Sequence, residues 1–78
     1  MNLNARQREV LAEIGYSGPI GIADLAPNCL ATDSATRSAV KRLEARGLVD
    51  YTLVDGGHTH VRRWFLTDAG EREDESKP

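Results

Sequence analysis

The sequence predicts an α+β domain, mostly helical: three helices, a β-hairpin and a short C-terminal helical stub. The domain is expected over residues 1–70, with 71–78 an acidic tail that frays. Three observations predict this class. Apolar residues recur at helical spacing in three successive segments, each closed by a glycine or proline stop. From residue 48 the period changes, and two runs become rich in β-branched and aromatic residues. Between those runs Asp55-Gly56-Gly57 is a strong turn signal, so they read as an antiparallel hairpin.

The first helix is expected over residues 4–14. Ala5, Val10, Leu11 and Ile14 mark its apolar stripe, Leu3 leads in, and Arg6, Gln7, Glu9 and Glu13 face water. Gly15 and the run Ser17-Gly18-Pro19 stop it. A second helix fits residues 22–26, with Ile22 and Leu25 inward. Pro27 bars its continuation, because proline lacks the N–H and its ring clashes with the preceding turn. Residues 28–31 form a turn, with Leu30 packing into the core.

The third helix, residues 33–46, is the most informative stretch. Thr32 or Asp33 serves as N-cap, since a short side-chain oxygen satisfies the orphan amides of the first turn. Thr36, Ala39, Val40 and Leu43 line one face, and Ser34, Arg37, Ser38, Lys41 and Arg42 the other. Gly47 supplies the left-handed residue that ends a helix cheaply. A helix packed on one side and cationic on the other has the shape and charge for a DNA major groove.

The strands are expected over residues 48–54 and 61–66, joined through the polar residues His58, Thr59 and His60. In the second strand Trp64 and Leu66 share one face, toward the core, and Phe65 takes the other. An uncovered Phe65 beside Tyr51 or Leu53 would offer a partner surface. After the hairpin Thr67 caps a last short helix, with Asp68 and Glu71 favouring its positive end.

Seventy-eight residues make one small domain, burying only roughly 60–65% of its unfolded surface. The net charge of −2 conceals an uneven distribution. Residues 67–78 carry two basic and five acidic side chains, whereas residues 34–46 hold Arg37, Lys41, Arg42 and Arg46 against only Glu44. Local potential governs docking on phosphate more than the total does. The single cysteine, Cys29, excludes an internal disulfide framework and fits a small buried hydrophobe. No signal-like segment opens the chain and no apolar run approaches a membrane span, so a soluble, cytoplasmic protein without a membrane partner is expected.

Three helices and a hairpin, with the third helix basic, form the winged helix-turn-helix arrangement. The chain also resembles MarR-type transcriptional regulators directly, over roughly residues 5–73. Leu43-Glu44-Ala45-Arg46-Gly47-Leu48-Val49 is similar to that family's Leu-Glu-x-x-Gly-Leu-Val run, and Leu66-Thr67-Asp68-Ala69-Gly70 to the Leu-Thr-x-x-Gly that closes its wing. The resemblance implies sequence-specific binding of double-stranded DNA by a small prokaryotic or viral regulator. The third helix would enter the major groove, with the amino end of the second helix on phosphate and the wing alongside. Where the family carries Asp-x-Arg in the wing, this sequence has His58 and His60, which leaves the third helix most of the recognition. The family's long dimerisation helices have no counterpart in this sequence, so a homodimer or contact with a second protein is expected through another surface.

The residues expected at DNA are Ser34, Ala35, Arg37, Ser38, Lys41 and Arg42 on the third helix and His58, His60, Arg62 and Arg63 on the wing. Arg37, in the second turn, reaches a base edge, while Lys41 and Arg42, one turn on, meet phosphates. The small side chains permit close approach. The bland alternative is a solvated helix face and a polar loop. A metal at His58 and His60 would need a third ligand, and Cys29 lies elsewhere in the chain. No Ser/His/Asp or Cys/His set and no phosphate-cradling glycine loop is present, so neither an enzyme nor a cofactor is expected. A winged-helix protein-interaction adaptor is the alternative function, supported by the acidic tail and the Tyr51/Phe65 face. Recognition of RNA or of unusual duplex shape is the third.

Overall fold

Asn4 begins the first helix with a reciprocal cap: its side chain accepts from the Gln7 amide at 2.8 Å, and its own amide donates to the Gln7 side chain at 3.1 Å. The computed structural model describes residues 2–56 and 60–76. They run in the order α1 (Ala5–Ser17), α2 (Ile22–Asn28), α3 (Asp33–Ala45), β1 (Val49–Asp55), β2 (His60–Leu66) and α4 (Asp68–Glu75). Val10, Leu11 and Ile14 of α1 are buried, with Leu3 beside them. Ala5 is exposed rather than part of that stripe. Nine residues separate it from Ile14, which at about 100° per residue puts the two on opposite sides of the helix.

Gly15 does not stop α1, which continues to Ser17 and ends where Gly18 donates to Ile14 at 2.8 Å. Gly15 serves close approach instead: an added Cβ would lie 2.9 Å from Leu66. Likewise α2 continues through Pro27 to Asn28. Proline removes only its own amide from the ladder, and the end is secured from beyond it. Leu30 donates to Pro27 at 3.1 Å and Ala31 donates to Ala26 at 3.0 Å. This is a Schellman closure, and it holds Leu30 at φ 53. The left-handed turn throws the Leu30 side chain outward, 93% exposed, so it does not join the core.

At α3 the cap is Thr32, whose hydroxyl accepts from the Ala35 amide at 3.1 Å, and Asp33 is the first helical residue. Thr36, Ala39, Val40 and Leu43 are all buried. The same closure ends the helix after Ala45, here with Gly47 at φ 75 and Leu48 donating to Leu43 at 3.0 Å.

The hairpin pairs Val49 with Leu66 and runs to Asp55 opposite His60. Tyr51 stands opposite Trp64, and Phe65 opposite Asp50. Side chains alternate along a strand, so Tyr51 and Phe65 lie on opposite faces and do not form the shared surface expected. Trp64 is buried with the core, while Phe65 and Leu66 are half-buried. The Trp64 backbone also bonds Ile20 in both directions, at 2.8 and 3.0 Å, and so fastens the wing to the segment before α2.

Thr67 joins hairpin and α4. Its hydroxyl accepts from the Gly70 amide at 3.1 Å and donates to the Gly47 carbonyl at 2.6 Å. α4 then runs through Glu75, so the charged stretch from Glu71, expected to fray, is helical over its first five residues. It lies against α1, where Arg8 and Glu73 pair at 3.3 Å. Among the described residues no helix is long and apolar enough to cross a membrane.

Candidate nucleic-acid interface

Burial of Thr36, Ala39, Val40 and Leu43 leaves a continuous exposed face on α3, comprising Ser34, Ala35, Arg37, Ser38, Lys41 and Arg42. Helical geometry divides it into two edges. Arg37 and Lys41, one turn apart, face the wing across a cleft of about 320 Å³. Ala35, Ser38 and Arg42 face the start of α1 across a second groove, lined also by Asn4, Arg6 and Gln7. The six α3 residues expected at DNA therefore share one surface but look toward different neighbours.

The wing residues separate more sharply. His60 and Arg62 line the cleft opposite Arg37 and Lys41. Arg63 alternates to the other face of the hairpin, where it pairs with Thr52. His58 lies outside the described residues. Ile22, Val61 and Trp64 are apolar lining residues of the cleft, Trp64 buried and Val61 exposed, and Glu44 is its one acidic lining residue among those described. Arg37, Lys41 and Arg62 thus bring three cations to one concave surface, none in an ion pair among the described residues.

Tyr51 supports one of these lining residues, a contact not legible in the sequence. Its ring lies under the Arg62 guanidinium, with the central carbon 4.7 Å from the ring centroid. It also packs on Trp64, ring centroids 5.1 Å apart and planes tilted by 58°. Tyr51 and Arg62 are diagonal neighbours across the hairpin, and only the register reveals that.

Two other clefts carry acidic side chains. Glu71, Asp74 and Glu75 rim a cleft floored by Ile14, Phe65 and Leu66, and Glu9 and Glu13 continue the charge along α1. Cys29 is buried and free; burial, with Glu9 and Glu13 nearby, pushes its thiol above the ordinary value, against an opposing effect of Arg6. Among the described residues no group of three or more His, Cys, Asp or Glu side chains is placed to hold a metal.

The MarR family model matches residues 3–52. The fold is similar to RV1404 from Mycobacterium tuberculosis, at 27% identity and a TM-score of 0.84, covering 95% of this chain and 50% of that one. It is similar to the transcriptional regulator SlyA at 19% identity and a TM-score of 0.85, covering 95% and 51%. Streptococcus pneumoniae FabT, solved in complex with DNA, matches at 14% identity and a TM-score of 0.82, again over 95% and 51%. The chain spans about half the length of these solved structures. No curated protein matches it significantly.

Proposed function

The chain belongs to the MarR family of winged-helix transcription regulators, which are not enzymes, and from that premise we propose that it is a small prokaryotic or viral regulator that binds double-stranded DNA sequence-specifically. The observation that carries the reading is the exposed edge of α3, where Arg37 and Lys41 face a cleft with no ion-pair partner among the described residues. FabT, a structural neighbour, binds DNA with the same fold. In this reading α3 enters the major groove and the wing lies alongside. Arg37, near the amino end, meets a base edge, where a bidentate guanine contact discriminates by about 1–3 kcal/mol. Lys41 and Arg42 meet phosphates, which position the protein without reading sequence. Ser34, Ala35 and Ser38 let the helix approach closely, and His60 adds to the wing's contact.

A single module of this kind covers about 600–1,000 Å² of its own surface on DNA, so useful affinity calls for a homodimer or a second protein. Its place of action is the cytoplasm, with the DNA. The alternative, a protein-interaction adaptor, loses the shared Tyr51/Phe65 face to the hairpin register but keeps the net acidity and the acidic tail in its support. Salt separates the two functions, because binding through several phosphates weakens steeply as salt rises and docking through an apolar face does not. Site selection from random duplexes at two salt concentrations tests the proposal. On the selected duplex, Arg37→Ala relaxes base preference, whereas Lys41→Ala weakens all duplexes alike. Equal losses on selected and random duplexes for both variants would refute this assignment of roles.

A further inference from the structure

We infer that Arg62, carried on β2 and held over the Tyr51 ring, is a phosphate clamp that seats one DNA backbone phosphodiester, together with Lys41, in the cleft between α3 and the wing. The inference rests on the DNA-binding reading and deepens it. It moves the wing's contact from the hairpin tip to a strand residue.

Three features support it. The first is convergence: Lys41 comes from the helix and Arg62 from the hairpin, with Arg37 lining the same cleft, and Glu44 is the opposing charge. The excess of cations suits an oxyanion, and buried Trp64 with half-buried Ile22 in the lining lowers the local dielectric and strengthens its attraction. The second is preorganisation. The central carbon of the Arg62 guanidinium lies over the Tyr51 ring, 4.7 Å from its centroid. Tyr51 in turn rests on Trp64, which is buried and bonded through its backbone to Ile20. A flexible arginine is thereby held against a fixed platform before any ligand arrives, which reduces the ordering cost of binding. Contact of the guanidinium with the ring face uses no conventional hydrogen bond, so its donors remain available for the forked bonds that phosphate accepts. The third is position. A helix in the major groove and a wing beside it straddle one strand of the duplex, and the backbone of that strand runs through the space between them. Arg63, on the outer face of the hairpin, has no part in the clamp.

The experiment titrates a duplex selected from a random pool with the full chain, by fluorescence anisotropy, at several salt concentrations. Melting followed by circular dichroism checks that each variant folds. Arg62→Ala is expected to reduce the slope of log K against log salt by about 0.9, the value of one phosphate contact, and to weaken selected and random duplexes equally. Tyr51→Leu, with Arg62 intact, is expected to lose most of the same affinity, and Tyr51→Phe to rescue it, because a phenyl ring still supports the cation. An unchanged slope for Arg62→Ala, with Lys41→Ala still lowering it, would overturn the clamp and leave DNA binding standing. Equal affinities for the Tyr51→Leu and Tyr51→Phe variants would overturn the platform. A wild-type chain showing no salt-sensitive duplex binding would overturn the clamp together with the reading beneath it.

Discussion

Leu30 occupies a backbone position that favours glycine. It sits at φ 53 in the turn between α2 and α3, with its side chain 93% exposed. A left-handed residue with a Cβ costs roughly 1–2 kcal/mol, and an exposed leucine recovers little of that through packing. Leu30→Gly should therefore stabilise the fold, by about 0.5–1 kcal/mol once glycine's extra unfolded-state freedom is counted. The measurement is urea unfolding, where a higher midpoint at unchanged slope is expected; a lower midpoint would mean that Leu30 packs in solution. Nothing in the local sequence announced this residue, because leucine before an amphipathic helix reads as core. Gly47, at φ 75, ends α3 by the same closure and was legible, because glycine there has one obvious use. Arg37 and Lys41 were legible too, since their exposure follows from the helical period that buries Thr36, Val40 and Leu43.

The two family-like runs meet in space, and their letters are explained by that junction. The Thr67 hydroxyl caps α4 at Gly70 and donates to the Gly47 carbonyl at 2.6 Å, and its amide donates to Leu48 at 3.1 Å. Gly70 packs directly on the Leu48 carbonyl, where an added Cβ would overlap the oxygen. Gly70→Ala should push α4 off the hairpin at a cost of about 1–3 kcal/mol, because the obstacle is backbone rather than a yielding side chain. Thr67→Ala should cost about 1–2 kcal/mol through the lost cap and the orphaned carbonyl. Urea unfolding reads both, and a neutral Gly70→Ala would show that α4 does not dock as described. The Arg8–Glu73 pair, half in solvent, contributes much less. At this scale the order of elements was legible in the sequence, but their ends were not. Gly15 and Pro27 read as stops because their usual effect is local, whereas here Gly15 accommodates Leu66 and the α2 closure lies beyond Pro27. The pairing of Arg62 with Tyr51 was hidden for another reason: the hairpin register depends on the loop, whose length the turn signal left open.

Across the whole molecule the clefts differ in the charge of their linings. Arg37, Lys41, Arg62 and Arg42 line clefts beside α3, and Glu71, Asp74, Glu75, Glu9 and Glu13 line clefts beside α1 and α4. A net charge of −2 therefore does not oppose docking through the basic face, but it keeps the attraction for arbitrary DNA weak. Base contacts made by Arg37 must supply most of the preference for one site. The separation of acid from base was partly visible along the chain, in the contrast between residues 34–46 and 67–78. The convergence of helix and wing cations on one cleft required the fold. The most direct test compares the affinity of the full chain for a duplex recovered by site selection with that for a shuffled duplex, both at near-physiological salt. Sequence-specific recognition through α3 predicts that the selected duplex binds at least about a thousandfold more tightly, and that Arg37→Ala removes much of that ratio. Equal affinity for the two duplexes, or a ratio untouched by Arg37→Ala, would contradict it.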